Sequence, residues 1–524
     1  MATGADDTIA PRTTAYIGSV NLVAQVADKL LSFAQIVVIA AVLGSSAGGD
    51  IFFLASIVPL TIGFVIGEPV GRAYMTLLVR TPAGAEARRL AASALTLTLA
   101  VLFAVTAVYD VVVVVLVKIL TPAGSGDVWP WLAFSAVAPA MGVAGLLGGL
   151  LIWLHHYAWA AARVPLASAA GLVLLSVAVR SSDHLVWIGL ALSGGYVVAA
   201  AVLWLRVAAA LGARWPLAAT RAGVVEAAAA RGMLVGPAIG GAIGGQVIVT
   251  IERILAGTLG TGFVASISYA RGIATAPTVL AQAVGASGYP RLVRAEAARD
   301  VAYLRESLTR GLRLSLYLGS ACATFLILFG SDAVVAIFQR GHFAELATSE
   351  TGRCLVAFGW STLTGSLIVY LVSVIYGLGR FRAILWLELA VFGTYLVAAP
   401  VLRATDGLVG LAYAFAVAQA AGVVAAAAVC MRTVHLRPGM LVRTVLLPIA
   451  PLVIVLVAVL VGYRLLVDHV VIPIDLRGLT RAGGAGACLV IAGSAILLAS
   501  PLPEAAQLRS ALRRRSPSAA RRRV

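Results

Sequence analysis

Apolar runs of membrane length recur along almost the whole chain, and no other feature limits its fold so strongly. A helix needs about 20 predominantly apolar residues to cross a hydrocarbon core. In lipid, only helices and closed barrels satisfy every backbone donor and acceptor. The 524 residues are 61% hydrophobic and 12% charged, whereas an ordinary soluble chain is about 25% charged. Mean hydropathy is +1.00. A soluble globular protein is excluded, and the chain reads as an all-α polytopic membrane protein of about fourteen spans. The first covers 17–43 and the second 50–77; the seventh and eighth cover 232–258 and 263–288; the eleventh and twelfth cover 383–402 and 407–431. The joints are short, which leaves no room for an extramembrane catalytic domain, so no enzyme is expected.

The net charge of +17 does not mark a nucleic-acid binder, because the arginines alternate with the spans. Arg80, Arg88 and Arg89, then Arg214, Arg221 and Arg231, then Arg291, Arg294, Arg299, Arg305 and Arg310 fall on one side, followed by Arg380, Arg382, Arg432, Arg437 and Arg443. The opposite turns 44–49 and 260–262 carry no arginine or lysine. By the positive-inside rule the arginine-rich side is cytoplasmic, with both termini there, in the plasma membrane. Asp332 is expected to be solvated near the outer surface. Residues 1–16 form a cytoplasmic N-terminus without the basic start of a secretory signal. Residues 503–524 form a basic tail suited to the anionic inner leaflet. The four cysteines lie in apolar runs without metal-ligand spacing, so neither a metal site nor a disulfide is expected.

The chain repeats itself weakly. Asp28-Lys29-Leu30-Leu31 in the first span is echoed by Glu252-Arg253-Ile254-Leu255 in the seventh. Each leads to a Gly-rich turn and then to a span containing a proline, Pro59 or Pro277. Those spans end in Leu77-Leu78-Val79-Arg80 and Arg291-Leu292-Val293-Arg294. Both copies start on the same side, which defines a parallel repeat: an N-lobe over 17–212, a surface linker over 213–231 and a C-lobe over 232–431. The remaining spans occupy 432–502. Transporters built this way hold substrate between halves and rock one against the other.

Charges within the spans are the candidate functional groups, because a charge near mid-bilayer costs at least about 2.5–3.5 kcal/mol. Asp28 and Lys29 stand side by side in the first span, and either lock helices together or let Lys29 meet an anionic substrate. Glu68 and Arg72 stand at i and i+4 around Pro69, where they can pair; the proline is consistent with a broken helix lining a cavity. Arg271 has no acid close in sequence and suits a phosphate, whose oxygens its planar fork can take in pairs; alternatively, carbonyls freed at Pro277 satisfy it. Glu388, in Leu385-Trp386-Leu387-Glu388-Leu389, is a candidate for a coupling cation or proton. No P-loop, His-Glu-x-x-His or nucleophile elbow occurs, so neither ATP-driven transport nor a cofactor is expected.

Three stretches resemble the lipid II flippase family MurJ, also called MviN. Asp50-Ile51-Phe52-Phe53-Leu54-Ala55 with Pro59 is similar to its second helix. Tyr269-Ala270-Arg271 with Tyr289-Pro290-Arg291-Leu292 is similar to its eighth, and Ile337-Phe338-Gln339-Arg340-Gly341-His342-Phe343 to the loop after its ninth. The resemblance implies the fold of the multidrug/oligosaccharidyl-lipid/polysaccharide exporter superfamily: two six-helix lobes plus two C-terminal helices. It implies movement of a polyprenyl-diphosphate-linked cell-wall precursor from the inner to the outer leaflet by alternating access. Cell-wall synthesis proteins are possible partners. Lys29, Arg253 and Arg271 would neutralise the diphosphate; Asp28, Glu252 and Glu68 would hold those bases, with Arg72 and Asp50 nearby. Lys29 falls where the family has an arginine, and Gln35 and Gly63 stand where it has two more. A lipid-linked exopolysaccharide-repeat flippase, a drug/cation antiporter and a non-transporting scaffold for cell-wall synthesis remain the alternatives.

Overall fold

The computed structural model describes residues 11–80, 85–120, 127–180, 184–211, 236–339, 345–469, 474–503, 505–506 and 509. Among the described residues the regular structure is wholly helical. In chain order the helices are α1 (Pro11–Leu43), α2 (Ala47–Arg80), α3 (Ala85–Leu120), α4 (Trp129–Leu132), α5 (Val137–Trp153), α6 (Tyr157–Ala178), α7 (His184–Leu211) and α8 (Gly236–Gly257). Then come α9 (Phe263–Thr275), α10 (Thr278–Ala297), α11 (Val301–Phe338), α12 (Glu345–Gly377), α13 (Phe381–Thr433), α14 (Pro438–Leu441), α15 (Leu447–Asp468) and α16 (Ile474–Ala499). Eleven of the described helices are long and apolar enough to cross a membrane, which makes this a multi-pass membrane protein.

Prolines and glycines decide where the expected spans bend. The eighth span breaks into α9 and α10 at Ala276-Pro277, because Pro277 has no N–H to continue the ladder. Threonine hydroxyls take up carbonyls around the break: Thr275 Oγ1 donates to the Arg271 carbonyl at 3.0 Å, and Thr362 Oγ1 to the Ala274 carbonyl at 2.8 Å. The eleventh and twelfth spans are two helices, as expected, joined without an intervening loop at a sharp kink: within α13, Gly407 leaves helical geometry altogether (φ 58°, ψ −126°). α2 passes through both Pro59 and Pro69 as one helix, so the expected break at Pro69 does not occur. Pro59 leaves the Ala55 carbonyl without its usual donor, and the Tyr109 hydroxyl of α3 supplies one at 3.3 Å.

The chain divides into two compact units, 1–265 and 266–524. The first unit is built on α5, which is Gly- and Ala-rich and buried along most of its length. Small residues let helix backbones come close where lipid removes the usual hydrophobic drive. Leu95 and Leu102 of α3, Leu147 and Leu150 of α5, and Leu203 and Val207 of α7 form its core. α8, assigned by sequence to the C-lobe, lies in this first unit and packs on α2. The linker at 213–231 lies outside the described residues.

The second unit is organised around α11, α12 and α13. Gly311 shows how close α11 and α12 come: a Cβ there would overlap the Tyr370 ring, whose hydroxyl donates to the Ser307 carbonyl at 2.8 Å. α15 and α16 fasten onto α11. Tyr317 donates to the Gly493 carbonyl at 2.7 Å. At the far end of α11, Asp332 is not solvated as expected: it pairs with Arg464 and lies 3.7 Å from Arg481. Asp468 closes the ring, 3.2 Å from Arg464 and 2.7 Å from Arg481. Arg481 is 7% exposed, so its charge depends on these two carboxylates. Breaking a wholly buried pair costs several kcal/mol and an exposed one almost nothing; with Asp468 partly open, D332N should cost about 2 kcal/mol. Thermal unfolding of the purified protein in detergent measures this, and D468N should shift the midpoint less.

Candidate functional site

The two uncharged turns meet within the first unit. α1 ends at Gly44, whose φ of 57° is the left-handed conformation that closes a helix C-terminus. The other turn holds Gly260 (φ 146°) and Gly262 (φ 88°). Ser45 donates from Oγ to the Gly262 carbonyl at 2.6 Å. Asp50, in the first turn of α2, accepts from the Gly262 N–H through Oδ2 and from the Ala265 N–H through Oδ1 at 2.8 Å. Both oxygens therefore cap the N-terminus of α9, where donors lack intrahelical partners and a negative charge is favoured. Sequence placed Asp50 near substrate; the structure places it in this clasp.

Farther along the α2–α8 contact, Arg253 donates from a terminal nitrogen to the Phe53 carbonyl at 2.6 Å, with its guanidinium carbon 5.3 Å from the Phe53 ring centre. Glu252 is 1% exposed and has partners of its own.

Asp28 and Lys29 go separate ways. Neighbours in a helix point about 100° apart. Asp28 is buried against α6 and accepts from Ser168 Oγ at 2.7 Å and Ser32 Oγ at 3.3 Å. Gln35 continues this polar stripe, donating to the Ser168 carbonyl at 2.8 Å. The stripe Asp28-Ser32-Gln35 follows the i, i+4, i+7 spacing of one helix face. Gly171 makes room for it, because a Cβ there would stand 2.7 Å from Gln35 Nε2. Lys29 is exposed and, among the described residues, makes neither a hydrogen bond nor an ion pair. The two charges do not neutralise each other.

In the second unit, Arg271 is 9% exposed and lies against two aromatic rings. Its guanidinium carbon is 3.9 Å from the Phe415 ring centre and 4.9 Å from that of Phe358. The rings meet edge to face, 6.1 Å apart at 77°. Arg271 also makes further contacts. Glu388 is half-buried in α13 and, among the described residues, makes no hydrogen bond or ion pair. The side chains of Glu68, Arg72, Tyr289 and Arg291, and the loop 340–343, lie outside the described residues. Ser32, Ser168, Phe358 and Phe415 are the residues that sequence reasoning missed.

Membrane-length helices, a proline-broken span and charges held inside an apolar bundle define a polytopic membrane protein. A family model described as "Lipid II flippase MurJ" matches residues 39–474. The chain belongs to that family, one of transporters rather than of enzymes. Among solved structures, it is similar to a lipid II flippase MurJ in an inward closed conformation, at 14% identity and a TM-score of 0.72. The match covers 90% of this chain and 97% of that one. It is also similar to an inward-facing multidrug resistance MATE family transporter, at 14% identity and a TM-score of 0.65, over 80% of this chain and 98% of that one. A MATE transporter of Vibrio cholerae matches at 16% identity and a TM-score of 0.54, over 82% and 97%. These likenesses establish the fold. No curated protein matches the chain.

Proposed function

We propose that the protein flips a polyprenyl-diphosphate-linked cell-wall precursor, lipid II or a related lipid-linked glycan, from the inner to the outer leaflet of the plasma membrane. Both termini face the cytoplasm, and transport proceeds by alternating access. Family membership supports the substrate class. The observation that carries the site is Lys29: an exposed ammonium in a membrane-length helix, with its neighbouring carboxylate turned away into hydrogen bonds with Ser168 and Ser32. An uncompensated cation at such a position attracts a diphosphate strongly, because water does not screen it as in bulk. Arg253 and Arg271 add fixed positive charge, each held in place by its own unit. Glu388, a carboxylate without a cationic partner among the described residues, is the proposed carrier of a coupling cation or proton.

Reconstitution in liposomes with lipid II and with other diphosphate-linked glycans tests this reading. K29A should slow translocation by about ten- to a hundredfold, the worth of one charge-assisted contact, and K29R should restore much of it. Wild-type rates from K29A at equal protein level remove Lys29 from the site. Absence of flipping with every diphosphate-linked lipid tried removes the function.

A further inference from the structure

The turn after α13 forms a basic cavity with no part in the proposed transport. α13 ends at Thr433, and the chain turns through His435, in the left-handed conformation (φ 51°), to enter α14 at Pro438. Free carbonyls normally make such a helix end negative. Here α11 supplies compensating charge. Arg305 donates from Nε to the Val434 carbonyl at 2.7 Å and from a terminal nitrogen to the His435 carbonyl at 3.1 Å. Arg313 donates to the Thr444 carbonyl, also at 3.1 Å. The backbone acceptors that would repel an anion are thereby occupied.

Beside this turn lies a cavity of about 540 Å³. Arg432, His435 and Arg437 line its polar side, and Met431, Leu436 and Pro438 its apolar side. The three basic side chains are exposed and, among the described residues, make no hydrogen bond or ion pair. Large apolar side chains follow at once: Met440, Val442, Leu446 and Leu447 are 48%, 43%, 44% and 61% exposed. A cluster of unpaired bases thus opens onto a strip of uncovered apolar surface.

We propose that this cavity binds the phosphate headgroup of an anionic phospholipid, with the acyl chains running over Met440 to Leu447. Arg432 and Arg437 offer planar forks that take phosphate oxygens in pairs. Basic pockets at the membrane surface hold anionic headgroups in this way. A free phosphate ester would satisfy the arginines but leave the apolar strip bare, so the strip favours the lipid. The cavity sits among loop arginines that sequence assigns to the inner face, the side of the anionic leaflet.

Native mass spectrometry of the full-length protein in detergent tests the site, with phosphatidylglycerol, phosphatidylcholine and glycerol 3-phosphate as probes. The triple variant R432Q/H435Q/R437Q should lower phosphatidylglycerol retention by about tenfold or more, given what each base contributes near a membrane surface, and leave phosphatidylcholine unchanged. R380Q/R382Q, at two other exposed arginines on the same expected side, should have no effect. R437Q alone should give a smaller loss, which keeps the test open if the triple variant unfolds. Wild-type retention by both cavity variants overturns the proposal. An equal loss from R380Q/R382Q overturns it in favour of diffuse charge, and displacement by glycerol 3-phosphate in favour of a free phosphate site.

Discussion

R271A should unfold at a markedly lower temperature than the wild type and should not flip its substrate. Arg271 is 9% exposed, and its guanidinium lies over the rings of Phe415 and Phe358. A desolvated cation over an aromatic face gains about 2 kcal/mol. Truncation to alanine forfeits that gain and leaves a gap beside the rings, so a total loss of about 3–4 kcal/mol is expected. That result alone would not separate packing from charge. R271M does, because a thioether is long, flexible and favourable against aromatic rings. Its unfolding midpoint should fall less than that of R271A, while liposome translocation should fall at least about tenfold through loss of one fixed charge. R271K should lie between the two in stability, since an ammonium keeps the charge but not the flat surface. Full transport by R271M would reduce Arg271 to a packing element.

The parts legible in the sequence were those written into short windows. Apolar runs gave the helical membrane fold, whereas the break suggested at Pro69 occurs at Pro277 instead, in a span read as continuous. The boundary in Arg403-Ala404-Thr405-Asp406-Gly407 was legible too: two helices meet there, although the joint is a kink at Gly407 and not a loop. The site was less legible because its contacts are remote. Asp28 stands out as a membrane carboxylate, but its hydroxyl partner Ser168 lies 140 residues away, and serines in an apolar helix are unremarkable. Arg271 stands out as a lone base, but nothing nearby announces Phe358 or Phe415. The adjacency of Asp28 and Lys29 suggested a pair, whereas a helix turns neighbours to different faces, and only tertiary packing shows which one is buried.

Asp50 is the strongest case of a local signal with a distant meaning, and D50A should have a correspondingly large effect. The carboxylate closes the clasp between two turns by accepting from the Gly262 and Ala265 N–H groups, and its farther partner lies 215 residues away. Alanine removes both bonds at once. Hydrogen bonds to a charged acceptor are worth about 1.5–3 kcal/mol each, and the charge itself favours the N-terminus of α9. The Ser45 hydroxyl on the Gly262 carbonyl stays in place, a neutral bond worth about 1 kcal/mol. The clasp should therefore open more often, by about a hundredfold if some 3 kcal/mol is lost. Amide hydrogen exchange reads this directly: the Gly262 and Ala265 amides should exchange faster in D50A by that factor, while amides within α5 keep wild-type protection. D50N retains one acceptor oxygen without the charge and should give an intermediate rate. Unchanged exchange at both amides would show that helix packing holds the turns together and that the carboxylate only decorates the contact.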